Sequence, residues 1–146
     1  MMWSFTYPAK LHAEAGGHLT VRFVDLPEAI TSGNGRQDAV RQAADCLEEA
    51  IAGRIADSLD IPPPSKAKRG QTQISLSGSM AAKASLYLAM REAGITRVLL
   101  ARRLGVDEKE VRRMLNPRHP TKLPRIEQAL SSLGKRLVVS LETEAA

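Results

Sequence analysis

Apolar and polar residues alternate through HLTVRFV at 18–24, with Leu19, Val21 and Phe23 on one side and Thr20 and Arg22 on the other. That period of two predicts a half-buried strand. FTYPAKLHA at 5–13 is also strand-like, and Glu14-Ala15-Gly16-Gly17 joins the two as a hairpin, because glycine tolerates positive φ. A short third run, Ala29-Ile30-Thr31-Ser32, ends at Gly33-Asn34-Gly35. The period then changes. Val40, Ala43, Leu47, Ile51 and Ile55 recur at three- and four-residue intervals, which predicts one amphipathic helix over about 36–59, capped by Asn34 or Gly35. Pro62-Pro63-Pro64 breaks it, Lys66-Ala67-Lys68-Arg69-Gly70 continues as a basic loop, and TQISLS at 72–77 predicts a fourth strand returning to the first sheet.

Beyond Gly78 the pattern is helical. Ser79 is the expected cap of a helix to about Ala93, with Ala82, Leu86, Leu88, Ala89 and Ala93 apolar and Gly94 ending it. Thr96 caps a second helix, stopped by Gly105. Asp107 caps a third, with Glu110 in the capping-box position and Asn116-Pro117 closing it. Ile126, Ala129, Leu130 and Leu133 mark a fourth helix over 123–133, and KRLVVSL at 135–141 predicts a final strand. The expected fold is α+β: a small antiparallel sheet with one packed helix over 1–78, including the Pro-rich basic loop 61–71, then an all-α domain with a C-terminal strand over 79–146.

The stretch ITRVLLARRLGVDEKEVRRMLN at 95–116 decides between two packed helices and a DNA reader. A helix-turn-helix crosses two helices steeply through a tight turn, so it needs a small residue at the crossing and Gly at the turn. Ala101 and Gly105 stand four apart and Val111 follows six later, while Leu100, Leu104, Val106 and Met114 fill the apolar positions between. The second helix then offers Glu108, Lys109, Arg112, Arg113 and Asn116 as candidate base contacts. Arg reads guanine, Asn reads adenine, and a carboxylate accepts from cytosine in the major groove. Thr96, Arg97, Arg102, Arg118, His119 and Lys122, with Arg125, surround the pair as candidate phosphate contacts.

Charge strengthens this division. Residues 1–61 hold five Lys and Arg against nine Asp and Glu, a net −4, whereas residues 62–146 hold sixteen against seven, a net +9. The basic half suits nucleic-acid phosphate and the acidic half a basic protein surface. Aromatic residues are 3% of the chain, so the core must be aliphatic. The single cysteine, Cys46, rules out an internal disulfide framework or a Cys-based metal site. No run approaches the ~20 apolar residues of a membrane span, and MMWSFTYPAK lacks a signal-peptide core, so a reducing cytoplasmic location is expected. One helix-turn-helix module seldom binds tightly alone. A homodimer or higher homo-oligomer meeting half-sites about 34 Å apart is expected, with the edge of KRLVVSL as a pairing element.

Catalytic chemistry finds little support. A two-metal nuclease site needs converging carboxylates, and the N-terminal strands offer only Glu14 in a turn and Asp25 at a strand exit, where a turn or cap role is expected. His12 and His18 flank the hairpin as surface hydrogen-bonding groups. No nucleophile triad and no phosphate-cradling loop is present. No enzyme activity, cofactor or metal is expected.

YPAKLHAEAGGHLTVRFVDLP, then AITSGN, a helix and the link DIPPPS together resemble the HicB antitoxins. RRMLNPRHPTKLPRIEQALSSLGKRLVVSLE resembles the version of that family with a C-terminal helix-turn-helix. Arg36 departs from the pattern, since the family more often has an apolar residue at that helix start. The resemblance implies a partial, inactive ribonuclease-H-like N-terminal domain. It also implies a HicA-like mRNA-cleaving toxin as partner, whose active surface the antitoxin covers, and repression of the shared operon through double-stranded operator DNA. The rival is a stand-alone repressor whose first domain binds a ligand or dimerises; a divergent nuclease is a third.

Overall fold

The structure, a computed structural model, describes residues 2–144. It contains β1 (Thr6–Ala13), β2 (His18–Phe23), β3 (Ile30–Asn34), α1 (Gly35–Ala56), β4 (Thr72–Ser75), α2 (Gly78–Ala93), α3 (Arg97–Leu104), α4 (Glu108–Leu115) and α5 (Leu123–Ser132). The strands make one antiparallel sheet in the order β3-β2-β1-β4. Two compact units result, the first ending at Ala81 and the second beginning at Ala82, within α2. No helix among the described residues is long and apolar enough to cross a membrane.

In the first unit the hairpin closes as the Gly-Gly pair requires, with Gly16 at φ 74° and Gly17 at φ 78°. The register sets Ala9 opposite Phe23, Leu11 opposite Val21, and Tyr7 opposite Ile74, so these side chains share the face that α1 covers. The stripe on α1 is Ala39, Ala43, Leu47, Ile51 and Ile55, every fourth residue, all buried. Val40, the expected start of that stripe, is only half-buried. The reason is Gly33 in β3: a Cβ there would stand 2.5 Å from the Ala39 nitrogen and 2.6 Å from its Cα, so strand and helix meet backbone to backbone. Full burial of Leu47 and Ile51 contributes about 2 kcal/mol each.

Asn34 occupies the α1 cap position, but its side chain makes no cap bond. Its carboxamide oxygen bonds His18 Nδ1 at 3.0 Å instead, and its own N–H donates to Asp38 Oδ2 at 2.8 Å. That donation, ahead of Arg41, lowers the Asp38 pKa. Exposed Arg36 donates to Thr72 Oγ1 at 3.3 Å, so this departure from the family pattern bridges α1 and β4.

The second unit is an aliphatic cluster of Ala82, Leu86, Ala89, Met90, Leu100, Ala101, Val111, Met114, Ile126, Ala129 and Leu130. Three expectations need correction. Ser77, not Ser79, accepts from the Met80 N–H at 3.3 Å at the start of α2. Leu88 is half-buried and Ala93 exposed, while Tyr87 and Met90 are buried in their place. Residues 135–141 belong to no strand of this chain. The terminal Lys135 is tied to Glu92 at 3.0 Å and Leu137 packs half-buried on the cluster, but the residues beyond find no partner strand.

Candidate functional site

The helix pair is built by its small residues. α3 starts with Thr96 Oγ1 accepting from the Leu99 N–H at 3.2 Å and ends at Gly105, whose φ of 68° is left-handed. The Val106 N–H returns to the Ala101 carbonyl at 3.0 Å, closing the helix end. Ala101, Leu100, Val111 and Met114 are buried, and Leu104 and Val106 pack partly buried beside them, which are the positions expected of a helix-turn-helix core. α4 begins with Asp107 Oδ1 accepting from the Lys109 N–H at 2.8 Å. Glu110 does not complete the capping box. Its carboxylate holds Arg113 at 2.8 Å and Arg125 at 3.1 Å.

The candidate base-contacting side chains lie together on the solvent face of α4. Lys109 is exposed, and the side chains of Arg112 and Arg113 are 59% and 52% exposed. They are not bare charges. Glu108, expected as a cytosine reader, pairs with Arg112 at 2.7 Å and Arg97 at 3.6 Å. Each arginine is therefore oriented by a carboxylate one turn earlier, the favourable order for a helical Glu–Arg pair. Acids in the first turn and arginines in the last also complement the helix dipole. Asn116, just beyond α4, accepts at Oδ1 from the Arg118 N–H at 3.0 Å, which turns the chain toward α5. Among the described residues, Arg102, Lys109, Arg118 and Lys122 form no ion pair and are exposed, and His119 is half-buried nearby in sequence. Thr96, expected at phosphate, uses its hydroxyl oxygen as the α3 cap.

Behind that face stands a residue the apolar pattern could not reveal. Lys83 of α2 is 3% exposed. Its ammonium donates to the Arg113 carbonyl at 3.1 Å, the Met114 carbonyl at 3.3 Å and Thr121 Oγ1 at 2.8 Å. Thr121 itself donates to the Arg113 carbonyl at 3.3 Å. A cation at a helix C-terminus satisfies orphan carbonyls and the negative dipole end together. Burial lowers the Lys83 pKa below its ordinary 10.5. This contact fixes the end of α4, and with it the loop carrying Arg118 and Lys122, onto α2.

In the first unit the acidic candidates are structural. Asp25 accepts from both the N–H of Ser65, at 2.8 Å, and its hydroxyl. Tyr7 donates its phenol to the Pro62 carbonyl at 2.8 Å, and burial pushes its pKa up to about 12. These two contacts fasten the Pro-rich link. Glu14 accepts from Thr20 at 3.4 Å. His12 lies opposite Thr20 and His18 opposite Asn34, so the two histidines are not a cross-strand pair. Among the described residues no group of three or more His, Cys, Asp or Glu is arranged to hold a metal. Burial and then Glu28 raise the thiol pKa of half-buried Cys46. The sheet face opposite α1 exposes Lys10, His12 and Arg22, whereas Asp45 and Glu49 are exposed on α1.

Comparison with known proteins agrees with this architecture. The model of a family described as HicB-like antitoxin of bacterial toxin-antitoxin system matches residues 6–85, which span the sheet, α1, the link and the start of α2. The protein Antitoxin HicB 1 of Photorhabdus laumondii is 34% identical over 136 residues, covering 93% of this chain and 86% of that protein. Antitoxin HicB 2 of the same organism is 36% identical over 138 residues, 94% of this chain and 96% of its own. Antitoxin HicB of Escherichia coli K12 is 36% identical over 131 residues, 90% of this chain and 95% of its own. A fold of four antiparallel strands, one covering helix and a Pro-rich link, matched through that whole segment and joined to a region alike along nearly all its length, makes this chain a member of the HicB-like antitoxin family of bacterial toxin-antitoxin systems.

Proposed function

We propose that the chain is a non-enzymatic regulator with two tasks. The unit ending at Ala81 covers the active surface of a HicA-like mRNA-cleaving toxin. The unit that follows binds operator DNA and represses the operon encoding both proteins, acting as a dimer. The observation that carries the DNA reading is the exposed row Lys109, Arg112 and Arg113 on a helix whose opposite side, Val111 and Met114, is fully packed. A helix of this size enters a major groove, and arginine supplies paired donors to guanine. The family membership of the first unit supports the antitoxin reading over a stand-alone repressor.

The test is titration of the full chain with duplex from the region upstream of its own gene. Arg112→Ala or Arg113→Ala should cost about 1–3 kcal/mol and relax specificity, while Lys122→Ala should weaken all sequences alike and lower the salt slope by about one. Operator affinity unchanged in all three variants would remove the assignment. Co-expression with the product of the adjacent gene should yield a co-purifying complex free of RNase activity; an active toxin in that complex would remove the neutralisation half.

A further inference from the structure

The register of the first unit sets Lys10 directly opposite Arg22, both exposed on the sheet face away from α1. Like charges facing each other across two strands repel. Among the described residues neither side chain makes an ion pair or a hydrogen bond. Several acids of the unit are engaged elsewhere. Asp25 accepts from Ser65, Glu28 from Arg54, Asp38 from the Asn34 N–H and Arg41, and Glu48 from the Ser77 N–H at 2.8 Å. We propose that this cationic corner of the sheet, extended by Lys68 and Arg69, holds the phosphate backbone of duplex DNA without reading its bases. The proposal rests on the DNA-binding reading of the second unit for its choice of a duplex.

Two further observations shape it. Thr72 of β4 pairs with Ala9, the neighbour of Lys10, so the turn that precedes β4 follows directly beyond that pair. Two bonds close this turn: the Gln71 N–H donates to the Lys68 carbonyl at 3.0 Å, and the Lys68 N–H donates to Gln71 Oε1 at 2.9 Å. Lys68 and Arg69 are therefore presented on a fixed turn, and both are exposed. The patch ends at the hairpin. There Glu14 accepts from Thr20 at 3.4 Å, and Thr20 lies opposite His12, so His12 stands beside a carboxylate and is left out. The second observation is the lack of open rings. Phe5, Tyr7 and Phe23 are buried and Trp3 is half-buried, whereas single strands are held by stacking bases on exposed aromatics. Cations without such rings contact phosphate only, which positions a nucleic acid but does not read it. Magnitude favours the duplex. Four phosphate contacts give a salt slope of about 3.6, and counterion release alone then sets dissociation at ~0.25 mM in about 0.1 M salt. That is weak for a free ligand. A covalently linked unit already holding the duplex presents it at an effective concentration on the order of 1 mM, which is enough to engage the face.

The experiment titrates the full chain with a duplex of unrelated sequence and follows backbone amide shifts by NMR. Lys10, Arg22, Lys68 and Arg69 should shift along with α3 and α4. The double variant Lys10→Gln with Arg22→Gln should bind that duplex about fivefold more weakly in about 0.1 M salt, lower the salt slope by about two or more, and abolish the shift at Arg69. Lys68→Gln with Arg69→Gln should do the same to the shift at Arg22. All four side chains are exposed, so unfolding midpoints should match the parent. Shifts confined to α3–α5, or variants that bind like the parent, overturn the proposal and leave the operator reading standing. Shifts confined to the first unit support the face and refute the operator reading; a duplex that moves no amide refutes both. Single-stranded RNA or polyglutamate moving the same four amides at lower concentration than the duplex overturns the choice of ligand.

Discussion

Replacing Lys83 by alanine removes the cation that closes α4. The ammonium serves three acceptors, the carbonyls of Arg113 and Met114 and the hydroxyl of Thr121, all within 3.3 Å. Hydrogen bonds from a charged group contribute roughly 1.5–3 kcal/mol, and acceptors left buried without partners cost about 1–3 kcal/mol. Against this, the folded chain already bears the desolvation that depresses the Lys83 pKa, and the substitution relieves it. Truncation also deletes three methylenes of stem, Cγ to Cε, from a site that is 3% exposed, leaving a cavity. The sum falls at about 3 kcal/mol for Lys83→Ala. Lys83→Met keeps the stem and removes only the charge, so about 1.5 kcal/mol is expected there. Urea unfolding followed by circular dichroism should show the midpoint falling with an unchanged slope. A loss under about 0.5 kcal/mol for Lys83→Ala would refute the reasoning, because it would mean the helix end is satisfied without the cation.

Two further perturbations test the first unit. Gly33→Ala drives a Cβ into the backbone of Ala39 at 2.5 Å, where no rotamer can yield, so a loss of about 3 kcal/mol is expected in the same unfolding assay; a loss within 0.5 kcal/mol would show that β3 separates freely from α1. The Glu28–Arg54 pair is bidentate at 2.6 and 2.9 Å, and this bond lowers the Glu28 pKa below its ordinary 4.5. A lowered carboxylate pKa adds stability that is present above 4.5 and lost as pH falls through the folded value. Glu28→Gln should therefore be less stable than the parent at pH 7 and converge with it in acid; a constant gap across that range would contradict the linkage.

Legibility followed physical cause. Elements announced by period were placed within a few residues: the hairpin, α1, and α3 to α5 follow from alternation, four-residue spacing and glycine breaks. The Thr96 and Asp107 caps followed from residue type alone, because each bonds within its own turn. What failed depended on distant neighbours. Ala39 displaced Val40 from the stripe because Gly33, six residues earlier, admits the helix so closely. Lys83 was invisible as a core residue because acceptors thirty or more positions later, the Arg113 and Met114 carbonyls and the Thr121 hydroxyl, make its burial tolerable. Glu110 abandoned its capping role because Arg113 and Arg125 flank it in space. The strand at 135–141 has no meaning for one chain, since a strand is defined by its partner. The candidate base contacts were legible as a face of α4, but their mutual ion pairs were not.

Those ion pairs make α4 its own first occupant. Glu108 and Glu110 already offer Arg112, Arg113, Arg97 and Arg125 the kind of oxygen a phosphate would present. On the proposed DNA reading, a generic backbone arriving at this surface would have to exchange one anion for another. A guanine edge presents two acceptors in the plane of the guanidinium and restores what the carboxylate gave up. If this face binds DNA as proposed, the acids would act as built-in competitors that thin out indiscriminate contacts while sparing the matched one. On that proposal, removing them would tighten the grip on every duplex and blur the choice among them.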